Sequence, residues 1–127
     1  MADRSKTGAG TRREVLGEAY VDKSNAAKNT FNERFIELIT ESAWGHVWSD
    51  PTLSKRDRSL ITIALLAAQG NKDELALHLR ATKNTGASHD EVREALLHVA
   101  IYSGVPKANS AIKIAQKILA EGEEESE

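Results

Sequence analysis

Residues 54–70 read SKRDRSLITIALLAAQG, and this stretch decides the class of fold. Ser54, followed three positions later by Asp57, resembles a capping box, in which a hydroxyl and a carboxyl group satisfy free N–H groups at a helix start. From Leu60 to Ala68 every residue but Thr62 is apolar, whichever face of a helix is viewed. Such a helix is expected to be buried on all sides. Gly70 is placed to end it.

The sequence on either side is punctuated in the same way. Downstream, Asn71 and Glu74 suit the start of a fourth helix, and Gly86 stands where a left-handed residue would close it. Ser88 with Glu91 forms a cleaner capping box for a fifth helix, whose Val92, Ala95, Leu96 and Val99 make one stripe and which ends by Gly104. Pro106 then fits the first turn of a sixth, striped by Ile112, Ala115, Ile118 and Leu119. Upstream, a short first helix is expected over Thr11–Ala19. A second is expected from Ser24 toward Trp48, with Phe31, Phe35, Leu38, Ile39 and Ser42 on one face and Pro51 as its stop. No segment alternates as a strand would. The expectation is an all-α fold, a compact bundle of about six helices. One domain is expected over 11–120, flanked by a disordered leader, 1–10, and a disordered acidic tail, 121–127.

The chain has 127 residues, 40% of them apolar, enough for one modest core. It holds no cysteine, which excludes disulfides, thiolate metal sites and thiol nucleophiles. The net charge of −2 includes five glutamates from Glu121 onward, so the remaining body is mildly basic. That balance suits a small anionic ligand and lacks the dense basic stripe that nucleic acid requires. No apolar run reaches membrane-spanning length and residues 1–13 lack the apolar core of a secretory signal, so a cytoplasmic protein without membrane contact is expected. A small subunit seldom buries a wholly apolar helix by itself, so the chain is expected to associate with copies of itself through Leu60–Ala68 or the sixth helix.

Glu74 and His78 lie four apart on the fourth helix, hence on one face. A carboxylate there can orient the imidazole and raise its pKa, giving a proton donor near neutral pH. The same residues have a structural reading, Glu74 completing a cap after Asn71 and His78 a hydrogen-bonded helix residue. Lys55, Arg56 and Arg58 crowd a helix start, where positive charge opposes the macrodipole, an arrangement consistent with a nearby carboxylate ligand or with a solvated face. Arg58 is the best placed of the three, next to the apolar segment. Trp44 and Trp48 share a face and suit either a core or a substrate wall; His98 with Tyr102, and His89 in a capping turn, read as structural. No phosphate loop, nucleophile elbow or metal-ligand pattern occurs.

Four blocks, AWGHVW at 43–48, RSLITIA at 58–64, DELALHLR at 73–80 and AIYSGVPKAN at 100–109, together resemble the carboxymuconolactone decarboxylase family, in order from about Arg12 to Ile118. The wider AhpD-like superfamily includes thiol enzymes with a CxxC ahead of a histidine. Here Asn71 and Glu74 stand at those cysteines, His78 is kept, and Ser59 stands where the thiol members use a glutamate. The resemblance implies an all-α subunit in a ring-shaped homohexamer with active sites near subunit contacts. It also implies cofactor-free and metal-free decarboxylation of 4-carboxymuconolactone to 3-oxoadipate enol-lactone in protocatechuate catabolism. Under it His78, oriented by Glu74, is the catalytic group, Arg58 or Arg80 anchors the substrate carboxylate, and Trp44 supplies an apolar wall. Two alternatives stay open: a non-catalytic helical binding or assembly protein, and an enzyme acting on a different carboxylated lactone.

Overall fold

The computed structural model describes residues 3–126 and is helical throughout, with eight α-helices and one π-helical segment among those residues and no strand. The chain divides into two compact units, Met1–Ser54 and Lys55–Glu127.

In the first unit, α1 spans Arg4–Leu16, α2 Glu18–Ala26 and α3 Glu33–Ile39, and a π-helical segment runs over Thr40–Trp48. The expected leader is therefore largely helix, and the first helix starts seven residues before Thr11. Asp3 is the reason: its carboxylate accepts from the N–H groups of Ser5 and Lys6, an N-cap that a leader rich in Gly, Ser and Thr disguised. Met1, Ala2 and Glu127, the ends of the two expected tails, lie outside the described residues.

The single helix expected from Ser24 to Trp48 is broken at Asn29–Asn32. Asn29 accepts from the N–H groups of Phe31 and Asn32, while Asn32 accepts from that of Asn29. Short amides that bond nearby backbone compete with the helix ladder, and here they win. Beyond the break, Thr40 and Ser42 donate hydroxyls to the carbonyls of Ile36 and Leu38, at 2.6 Å each, where the ladder widens into the π form. α1 packs directly on that segment, with Gly8 buried against Thr40 and Gly45. Thr11 Oγ1 and Ser49 Oγ are 2.7 Å apart, and Ser49 donates to the Trp44 carbonyl at 2.6 Å. The face expected to line a core is open instead: Phe31, Phe35 and Leu38 are exposed.

In the second unit, α4 spans Lys55–Gln69, α5 Lys72–Arg80, α6 Thr82–Thr85, α7 His89–Tyr102 and α8 Val105–Ser126. α4 packs on α5, α7 and α8, and α8 on α5 and α7. Ile63, Leu75, Leu79, Val92 and Leu96 are the largest side chains sealed in this core. The capping box of Ser88 and Glu91 forms, at 2.9 and 3.1 Å, and Gly86 is left-handed with φ +84° as expected. Two expectations are corrected. α4 is buried on one side only, with Ile61 at 48% and Leu65 at 54% exposure, since this small unit supplies too few neighbours to wrap it. The expected acidic tail continues α8 as helix to Ser126.

Candidate functional site

α5 carries Glu74 and His78, the pair that the sequence singles out. Leu75 and Leu79 face the core of the second unit, and His78, between them in register, is drawn in with them to 8% exposure. Taking the imidazole out of water penalises its charged form, so burial pushes the pKa of His78 down, from 6.5 to about 4. This reverses the expected direction. Glu74 shares the helix but is exposed, and water screens its charge, so burial is the one cause acting on His78. At neutral pH the ring is an uncharged hydrogen-bond donor and acceptor.

The cations sort by position. Arg56 is committed to structure, with Asp57 at 3.2 Å and Glu91 at 3.6 Å. Arg58, two residues further along the same first turn of α4, is half-buried and keeps its Nε out of solvent. Because α4 packs on α5, Arg58 and His78 lie on adjacent elements of one unit. Arg80, two residues from His78, projects from the opposite side of α5. It is exposed and lines a cavity of 320 Å³ with Lys83 and His89. The structure therefore separates two arginines that the sequence left equivalent.

Trp44 belongs to the first unit, buried against Trp48 with ring centroids 5.2 Å apart and planes tilted by 34°. His98 and Tyr102 stack at 6.1 Å on the exposed side of α7. Among the described residues no cluster of three His, Asp or Glu side chains is arranged to hold a metal ion.

Ser59 is the residue whose place the sequence reading understated. It is wholly buried in α4 and its hydroxyl makes no hydrogen bond among the described residues. The signal was present: Ser59, Ile63 and Ala67 repeat every four residues along the buried stripe, and a hydroxyl at such a place is costly unless it serves something.

A family model described as the carboxymuconolactone decarboxylase family matches residues 33–117. The 4-carboxymuconolactone decarboxylase of Acinetobacter baylyi is 46% identical over 115 residues, covering 91% of this chain and 86% of that protein. The nitrosuccinic acid decarboxylase of Metarhizium robertsii is 41% identical over 112 residues, covering 88% of this chain and 78% of that protein.

Proposed function

The chain belongs to the carboxymuconolactone decarboxylase family, and from that premise we propose that it removes CO₂ from 4-carboxymuconolactone, giving 3-oxoadipate enol-lactone in protocatechuate catabolism. The observation that carries this reading is the 46% identity to a relative named for that reaction, together with His78 sealed in α5 of this chain.

The chemistry needs little from the protein beyond placement. When the C–C bond to the departing carboxylate breaks, its electron pair moves through the ring double bond onto the lactone carbonyl oxygen, giving a dienolate. The substrate is its own electron sink, so this reading uses no cofactor. The dienolate then takes up one proton at carbon. A neutral His78 fits the role of hydrogen-bond donor to the developing oxyanion, a contribution of about 3 kcal/mol when such a donor is preorganised. Held near 4, its pKa disfavours the alternative in which the resting ring arrives already protonated as the acid.

Arg58 is the better anchor for the substrate carboxylate, since it lies on the helix packed against that of His78, while Arg80 looks the other way. Glu74 remains in this reading as a residue that orients the imidazole once substrate has excluded water.

Assembly is part of the proposal. Ile61, Leu65, Leu97 and Ile101 are exposed apolar side chains on the packed pair α4 and α7, a surface of the kind that copies of a chain cover. A ring-shaped homohexamer in the cytoplasm, with its active sites near subunit contacts, is the form we assign.

A second substrate class is favoured by the other relative. A nitro acid, like an unsaturated lactone, offers a group that accepts the electrons released with CO₂, so the same site suits either. The deciding experiment supplies purified protein with 4-carboxymuconolactone, and separately with nitrosuccinate, in the presence of a chelator. CO₂ release from the lactone supports the reading, release from nitrosuccinate alone moves it to the second class, and inertness toward both overturns both substrate assignments.

A further inference from the structure

Charge distinguishes the cavities of the second unit. The groove between α7 and α8 has Arg93 on its rim, but that guanidinium is paired with Asp90 at 3.1 Å and Glu94 at 2.9 Å, and Glu123 lines the same groove. The cavity beside Arg80 and Lys83 likewise includes Glu121 and Glu123. A third cavity, of 280 Å³, is bounded by the end of α4 and the first turns of α5 and α8, and its charged lining is of one sign, Lys72 and Lys107.

The walls of this third cavity are largely apolar, with Leu66, Leu75 and Ile114 among them, and Ser110 adds a hydroxyl. Lys107 is folded back over it: Nζ lies 3.0 Å from where a Cβ on Gly70 would stand, and Gly70, left-handed at φ +75°, carries none. Neither lysine side chain makes an ion pair or a hydrogen bond among the described residues. Asp73 and Glu74, next along α5, do not line the cavity. Like charges set against apolar walls focus a potential of their own sign, and a recess so lined gathers ions of the opposite one. Two cations on different helices beside hydrocarbon match a ligand with a carboxylate at each end of a short chain. The place is also apart from the proposed substrate anchor. Gly70 comes twelve residues after Arg58, just past the end of α4, a rise of about 18 Å that a one-ring lactone does not span.

We propose that this cavity is a second anion site, which binds a short aliphatic dicarboxylate between Lys72 and Lys107 with its methylenes on Leu66, Leu75 and Ile114. The inference goes beyond the decarboxylase reading and stands without it.

Calorimetric titration of the intact protein with glutarate tests this, with pentanoate and pentanediol as five-carbon controls that carry one charge and none. Saturable binding of glutarate is expected, weaker binding of pentanoate, and none of the diol. Lys72→Gln and Lys107→Gln, both at exposed positions, are each expected to weaken glutarate by about fivefold with helix content unchanged, the upper end for a partly exposed ion pair. Lys113→Gln removes an exposed cation of α8 that does not line the cavity, and is expected to leave binding as it was. Absence of saturable glutarate binding overturns the proposal. An equal loss in Lys113→Gln does so too, since diffuse charge would then be the cause. Binding that survives both cavity substitutions but is lost in Arg58→Ala belongs to the substrate anchor, and equally overturns it.

Discussion

Gly8 of α1 and Gly45 of the π-helical segment meet backbone to backbone: a Cβ on Gly8 would fall 2.8 Å from the Gly45 nitrogen and 2.0 Å from the Thr40 carbonyl oxygen. Those are main-chain atoms and cannot swing aside. Gly45 is equally confined, since a Cβ there would lie 2.4 Å from the Arg4 carbonyl oxygen.

Gly8→Ala is therefore expected to destabilise the protein by about 2 kcal/mol or more, the scale of overpacking against atoms that cannot move. Gly10, in the same helix, has nothing within 4 Å of the corresponding position. Gly10→Ala is expected to stabilise by about 0.5–1 kcal/mol, because glycine loses more freedom in a helix than alanine. Thermal melts of the two variants should move in opposite directions, and a shared direction would refute the close approach.

Stability should depend on pH through His78. In the folded protein the ring stays neutral down to about 4, whereas in the unfolded chain it takes a proton near 6.5, so between those values the unfolded state binds more protons. Stability is full above the upper value and falls as the pH is lowered through the window, by on the order of 3 kcal/mol in all. Urea unfolding across that range should show the decline, and His78→Leu should flatten it. Glu91, held below its usual 4.5 chiefly by the Ser88 N–H, adds a loss that begins lower still.

The two arginines should separate in kinetics. Arg58→Ala is expected to raise KM for the lactone by roughly tenfold or more, the cost of losing a charge-assisted contact, with Arg80→Ala changing it by less than a factor of two. His78→Ala should fold and assemble yet lower kcat by about 10² or more, as removal of a preorganised oxyanion donor does. Steady-state rates on matched preparations decide both, and equal effects at Arg58 and Arg80 would contradict the sorting by face.

Ser59→Ala should raise the melting temperature. The hydroxyl is fully buried without a hydrogen bond among the described residues, and removing it relieves a desolvation cost of about 1–3 kcal/mol. A variant less stable than the parent would mean that Ser59 bonds a group absent from the isolated chain.

Much of the second unit was legible because its signals are local. The capping box at Ser88, the glycine stop at Gly86 and the stripe through Val92, Leu96 and Val99 each depend on a few neighbouring residues, and each forms. The first unit was not, because its shape turns on competition between side-chain and backbone hydrogen bonds at Asn29, Asn32, Thr40 and Ser42, which periodicity does not register. At the candidate site, spacing correctly put Glu74 and His78 on one helix. It erred on the pKa because the shift depends on how deeply Leu75 and Leu79 draw the ring inward, a property of packing rather than of sequence separation.

α5 is nine residues long and turns two cations, Lys72 and Arg80, outward while sealing an imidazole inside. Substitutions on its outer rim thus leave the surroundings of the sealed ring untouched, so the two faces of this helix can vary independently.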